Sequence, residues 1–370
     1  MWPPANLCSG IGGGVKFEDL QTPLELYAHK ALLRLEQIAG DGSDRKFYRA
    51  LLAEGGGAQR SLVIMQGAGT LAEAASSNQR WVEVGEHLRQ LGLRVPGIVE
   101  VLPQLGVVVM EDFGDRTFAE GVLSALREAD REQLEGLYHQ AFCQIGILLS
   151  APQDHWPWLK AVAFDRAKFS FELSFFAQHF CHTLARLKLS RAETSWFERD
   201  CTALASFLSE QLPLAGVHRD FHSRNLMLCA DGALGLIDFQ DMRRGPLPYD
   251  VVSLCFDSYV PLSLAQRRRL LTQGIVTITK LRPEISVEAF ADEICRAVLL
   301  QRQLKAMGSF AYLATRKGKA DFLRYLKPAG ETLVELYDPR WPFLSSSFIE
   351  YYLPAGIEAV SSASSSKRSH

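Results

Sequence analysis

No apolar run in this chain is long enough to span a membrane. The opening stretch, MWPPANLCSGIGGG, has neither a basic start nor an apolar core, so no secretory signal is expected there. The seven cysteines (8, 143, 181, 201, 229, 255, 295) are scattered, odd in number and free of any CxxC pair. That argues against a disulfide framework and leaves free thiols in a reducing cytoplasm as the expectation. HFCH, His179 to His182, is followed by no second pair, and structural zinc needs four ligands. An excess of one charge is missing too. The 40 Lys+Arg and 42 Asp+Glu leave a formal net charge of −2, which offers no electrostatic reason to bind nucleic acid in bulk. No internal repeat is visible at a period of roughly 20–50 residues.

What the chain does have is size and apolar content. With 370 residues, 47% of them hydrophobic, it can bury the core of two lobes or domains. Residues 1–16 are rich in Gly and Pro and read as flexible. The tail SSASSSKRSH, 361–370, is low in complexity and reads as disordered.

The pattern between these ends changes near residue 115. Before it, a helix is expected over about 22–38, where Leu24, Tyr27, Ala31, Leu32 and Leu35 recur at helical spacing. KFYRALL (46–52) and SLVIMQ (61–66) read as a hairpin, a helix follows at about 77–92, and GIVEVL (97–102) with GVVVME (106–111) form a second hairpin. After residue 115, helices are expected at 129–150, 165–188, 193–212, 263–279, 287–308 and 318–336. One β interruption, NLMLCADGALGLIDF (225–239), turns at Asp231-Gly232.

The chemistry gathers around that interruption. Asp220 and Asn225 stand at the entry of the hairpin, and Asp238 stands at its exit. Two carboxylates and an amide held by one apolar hairpin are hard oxygen donors of the kind Mg²⁺ takes. In phosphoryl transfer, one carboxylate can orient the attacking hydroxyl while the others hold metal on nucleotide phosphates.

HRDFHSRN (218–225) matches the protein-kinase loop H-R-D-x-x-x-x-N, and IDFQ (237–240) resembles the metal-binding D-F-G with Gln240 in place of Gly. The stretch also resembles H-G-D-x-H-x-x-N of the aminoglycoside phosphotransferase family, with Arg219 where that family often has Gly. The pattern HRDFxxRNLM, IDFQD, Gly245-Pro246 and Tyr249-Asp250 looks closest to its branch of N-acetylmuramate/N-acetylglucosamine anomeric kinases. GDGSDRKFYR (40–49) and VVVMEDFGD (107–115) also resemble that branch, over roughly 35–345 in all.

The resemblance implies an α+β, two-lobed, protein-kinase-like fold. A small antiparallel-sheet lobe (17–114) would bind ATP with Mg²⁺, and a larger helical lobe (115–360) would carry catalysis and the acceptor. It implies Asp220 as catalytic base and Asn225 and Asp238 as metal ligands. Glu111 and Phe113 would meet adenine through their backbone. Gly42 and Ser43 would belong to the loop over the phosphates, since Gly allows close approach. Arg224, Asp241 and Glu172 would be the acceptor contacts.

Departures from the kinase pattern are informative. SLVIMQ has no Lys where kinases carry one on the third strand. Arg45, Lys46 or Arg49 on the preceding strand can replace it, with Arg45 and Arg49 on one face and Lys46 on the other. No A-P-E motif follows Asp238, and GPLPYD comes within ten residues, which leaves no room for an activation loop. His218 reads as structural, and Asp250 reads as a helix cap or an anchor for the catalytic loop.

From Val260 to Ser345 there are fourteen Lys/Arg and eight Asp/Glu, a net of +6. A polycationic aminoglycoside calls for an acidic site. A neutral or anionic sugar acceptor therefore fits better, with Arg302 and ATRKGKADF (314–322) as either anion contacts or solvated helix faces. The expectation is a cytoplasmic small-molecule kinase using ATP and Mg²⁺. The alternatives are an aminoglycoside or amino-alcohol phosphotransferase, or a nucleotide-binding regulator with weak turnover.

Overall fold

A computed structural model describes residues 16, 18–22, 31–38, 44–53, 58–152, 154–210, 212–338, 340, 343 and 348–366. The chain divides into two units. One comprises Met1–Asp115 and Met227–Gln240, the other Arg116–Leu226 and Asp241–His370.

The first unit is built on an antiparallel sheet of Leu32–Ile38 (β1), Lys46–Ala53 (β2), Gln59–Gln66 (β3), Ile98–Leu102 (β4) and Val107–Glu111 (β5), in the order β1-β2-β3-β5-β4. Strand alternation sends Tyr48, Ala50 and Leu52 of β2, Leu62 and Ile64 of β3, and Val107 and Val109 of β5 into one buried cluster. The helix Leu71–Gln90 (α1) starts at a capping box, in which Thr70 and Glu73 satisfy each other's backbone N–H, and it buries Trp81, Val84 and Leu88. The hairpin of Leu226–Leu228 and Leu234–Leu236 turns at Gly232, whose φ of 81° suits glycine. Its Leu236 N–H donates to Arg94 O at 2.8 Å. Phe239 packs on Trp81, centroids 5.0 Å apart, over Gly85, where a Cβ would come within 3.1 Å of the ring.

β1 replaces the second half of the helix expected at 22–38; Leu24 and Tyr27 lie outside the described residues. The cause is a bulge. β1 pairs with β2 from Leu32↔Leu52 to Ile38↔Phe47, and its register shifts between Leu32 and Arg34. The extra residue turns both Leu32 and Leu35 toward the core, so a strand acquires an apolar spacing of three, which is that of a helix.

The second unit is helical. Its main helices are Phe118–Arg127 (α2), Arg131–Leu148 (α3), Arg166–Phe176 (α4), Arg191–Glu210 (α5), Tyr249–Cys255 (α6), Leu264–Leu281 (α7), Asp292–Arg316 (α8), Leu326–Leu336 (α9) and Leu353–Ser366 (α10). α4 continues as a π-helical stretch over Ala177–Leu184. The long α8 packs against α4, α6 and α9. A two-stranded antiparallel pair, Leu214–Val217 with Arg243–Pro246, frames the segment between them. α10 runs through residues 361–366, the first part of the tail read from sequence as disordered, and residues 367–370 lie outside the described residues. Leu353, Ile357 and Val360 are buried at helical spacing, and the helix they anchor runs on to Ser366. Among the described residues, no helix is long and apolar enough to cross a membrane.

Candidate active site

In the helical unit the loop from His218 to Asn225 is held by side chains aimed at its backbone. Asp250, fully buried on α6, accepts from His218 N–H at 2.6 Å and Arg219 N–H at 3.1 Å. It is therefore the loop's anchor, and the cap position of α6 belongs to Pro248. Burial pushes its carboxyl up to about 7, against the two amides that favour its charged form. Asp257 accepts from Ser223 N–H and Tyr259 N–H, both at 2.8 Å. His218 is buried and packs edge-on against Phe221, as a structural histidine does.

Arg219 sits at φ 76°, a region that favours glycine, and its side chain is buried. Its guanidinium donates to Glu172 Oε1 at 2.7 Å, lies 3.6 Å from Asp241 and stacks 5.2 Å from the Phe164 ring. Glu172 also accepts from Gln301 Nε2 at 2.7 Å, and Gln301 accepts from Tyr249 O–H at 3.0 Å. Glu172 thus spends both carboxylate oxygens inside the protein, which directs it at the loop and not at an acceptor. Asp241 stays exposed beside Arg219.

The Asp220 carboxylate lines a small pocket together with His222, Ser253, Tyr259, Arg302 and Lys305. Lys305 Nζ donates to Asp220 Oδ1 at 2.8 Å, and Arg302 Nη2 lies 3.3 Å from the same oxygen. Burial alone would raise this carboxyl. Lys305, then Arg302 and Arg219, outweigh it and hold Asp220 well below the usual carboxylate range. Burial in turn lowers Lys305, with Asp220 opposing it. Asn225 Nδ2 donates to Asp220 O at 2.9 Å, so its amide oxygen is the end suited to a cation. The second hydrogen of that amide reaches toward His222 Nε2 at 3.5 Å. Burial brings His222 down to about 4, so it is neutral at pH 7. Arg224 stacks over Tyr259 and Phe322, at 5.0 and 5.6 Å.

In the sheet unit, Asp238 is exposed at φ 60°, and its Oδ1 accepts from Gln240 Nε2 at 2.8 Å. Arg49 makes a forked ion pair with Asp112, at 2.6 and 3.1 Å, and another with Asp115. Arg45 donates to Ser77 on α1 at 2.9 Å. Glu111 N–H donates to Gly97 O at 2.8 Å, and its carboxylate pairs with Arg94. The Phe113 ring lies under the Arg94 guanidinium and against Gly235, where a Cβ would come within 2.5 Å of it. Gly42 and Ser43 lie outside the described residues.

Lys305, which lines the pocket beside Asp220, is a candidate site residue that sequence reasoning missed. Its signal was its spacing: Arg302 and Lys305 share one face of a helix that is otherwise mostly buried. Arg302, read from sequence as an anion contact or a solvated position, is 9% exposed and also donates to Ser253 Oγ at 3.0 Å.

An aspartate in an HRD loop, in a helical unit that follows an antiparallel sheet unit, is the arrangement of a kinase-like fold. The phosphotransferase enzyme family model matches residues 34–283, and the chain belongs to that family. The chain is 28% identical over 310 residues to an N-acetylmuramate/N-acetylglucosamine kinase of Neisseria meningitidis serogroup B, covering 80% of this chain and 86% of that protein. It is 29% identical over 306 residues to the enzyme of the same name from Pseudomonas aeruginosa, covering 78% and 82%. The fold is that of the ADP-bound aminoglycoside phosphotransferase APH(2'')-Ib, with a TM-score of 0.55 at 14% identity, covering 92% of this chain and 99% of that one. Family and relatives together make the protein a small-molecule kinase.

Proposed function

We propose that this kinase transfers the γ-phosphate of ATP to a hydroxyl of an N-acetylated amino sugar, with N-acetylmuramate and N-acetylglucosamine as the first candidates. One observation carries the reading: in the pocket that Asp220 lines, its ion-pair partners are the cations Lys305 and Arg302, and the other carboxylate there, Asp257, is turned to two backbone amides. A polycationic aminoglycoside would meet like charge there, whereas a neutral or anionic sugar would not. The names of the relatives point the same way.

Asp220 receives the acceptor hydroxyl. Two cations on Oδ1 make it a weak base, so its main work is to orient the hydroxyl. It takes the proton late, once bonding to phosphorus has made that hydroxyl acidic. Both cations meet Oδ1, which favours Oδ2 as the oxygen that would face the acceptor. The oxygen of Asn225 and the exposed carboxylate of Asp238 are hard donors that suit Mg²⁺. That ion would supply charge neutralisation on the nucleotide phosphates. The Glu111 carbonyl and the Phe113 backbone would meet adenine, and Gly42 and Ser43 would lie over the phosphates. Because Arg49 is spent on Asp112 and Asp115, Arg45 stands in for the absent β3 lysine.

The test is ATP consumption by the purified protein, with product identified by mass spectrometry. It would use N-acetylmuramate, N-acetylglucosamine, kanamycin and choline as acceptors. Turnover of kanamycin or choline with none of either sugar would overturn the proposal.

A further inference from the structure

We infer that Lys305, backed by Arg302, forms an anion subsite that makes the enzyme prefer a carboxylate-bearing amino sugar to its neutral counterpart. The inference rests on the sugar-kinase reading above and narrows it. Lys305 is one turn beyond Arg302 on α8, and both line the pocket that holds Asp220. The Lys305 ammonium has three hydrogens to donate, and Asp220 Oδ1 takes one of them.

The other charges around the pocket are accounted for. Asp257, its second carboxylate, has its oxygens on the Ser223 and Tyr259 amides. Arg224 adds a further cation over the ring of Tyr259, which lines the pocket. Lys305 therefore brings more hydrogens to the pocket than Asp220 Oδ1 takes up. A buried donor without an acceptor is costly, and a ligand oxygen removes that cost.

N-acetylmuramate is N-acetylglucosamine carrying a lactyl ether, so the charge that separates the two is one carboxylate. Without Lys305 that carboxylate would be repelled by Asp220. With it, one ammonium bridges the two anions, as a charge-assisted hydrogen bond to each.

The measurement is the ratio of kcat/KM for N-acetylmuramate over N-acetylglucosamine, in the wild type, Lys305→Met and Lys305→Arg. The wild type should favour N-acetylmuramate. Lys305→Met should lower the ratio by about tenfold or more, the loss of one charge-assisted hydrogen bond, and Lys305→Arg should restore most of it. If Lys305 serves Asp220 alone, both sugars lose equally and the ratio stands, which overturns the inference. A wild-type preference for N-acetylglucosamine overturns it as well. Should Lys305→Met turn over neither sugar, calorimetric Kd values for the two sugars, on variant and wild type, supply the same ratio and decide between the same outcomes. A wild type inactive on both sugars would instead defeat the sugar reading on which the subsite rests.

Discussion

Replacing Glu172 by Ala removes the closest partner of a buried guanidinium. Arg219 and Glu172 are 4% and 5% exposed, so solvent cannot take over. Breaking a pair of this kind leaves an uncompensated charge and costs about 3–5 kcal/mol. Asp241 stays 3.6 Å away and relieves part of that, although its side chain is exposed. Gln301 loses its acceptor in the same step, which adds about 1 kcal/mol. The expected loss is about 3–4 kcal/mol, or roughly 6–12 °C in the melting temperature. Thermal and urea melts without ligand measure it, and kcat should fall because the loop carrying Asp220 loses its support. The pair can also be removed whole. Gly at 219 relieves the φ of 76°, so the double variant Arg219→Gly with Glu172→Leu should be more stable than Glu172→Ala alone. A melting point for Glu172→Ala within about 2 °C of wild type would refute the reasoning, because a buried pair cannot be broken that cheaply.

Asp220→Asn should abolish turnover and leave ATP affinity nearly intact; equal loss of both would mean the wrong carboxylate has been assigned to the acceptor hydroxyl. Asp238→Ala should weaken Mg·ATP binding itself, and unchanged calorimetric affinity with Mg²⁺ present would remove its role as a metal ligand. Arg45→Ala should raise the KM for ATP about tenfold through the loss of one charge-assisted contact. Arg49→Ala should instead lower stability by about 1–3 kcal/mol, since it strands the buried Asp112, with little change in the KM for ATP. If the two variants exchange these effects, Arg49 is the phosphate contact. Gly235→Ala should push the Phe113 ring aside and raise the KM for ATP, because a Cβ there would come within 2.5 Å of that ring.

Local signals were legible where one residue type had one use. The hairpin turn at Asp231-Gly232, the strands of β2 and β3 and the long amphipathic helices follow from spacing alone. α2 was also legible in principle, since Thr117 and Glu120 form a capping box at its start, yet its short run beside α3 hides it. β1 was not legible, because the bulge between Leu32 and Arg34 gives a strand the apolar spacing of a helix. A bulge is a property of pairing, and the partner strand is not written in the segment itself.

The site divides in the same way. Asp220, Asn225 and Asp238 belong to one contiguous pattern, so the chain announces them together. Lys305 lies 85 residues beyond Asp220, on a helix that on its own reads as core with four scattered cations. Only the packing of α8 against α4 and α6 brings that ammonium to the carboxylate. Glu172 shows the converse. Its place among the aromatic residues of FSFELSFF suggested a role toward an acceptor, and burial turned it inward to hold Arg219. Burial is also why an arginine is tolerated at a backbone angle that favours glycine. The strain of roughly 1–3 kcal/mol there is offset by the ion pair, the Phe164 ring and the two amide bonds to Asp250. The loop from His218 to Asn225 is thus held by Asp250, Asp257 and Glu172, all within the helical unit. GPLPYD arrives within ten residues of Asp238, which leaves little chain for an activation loop between them.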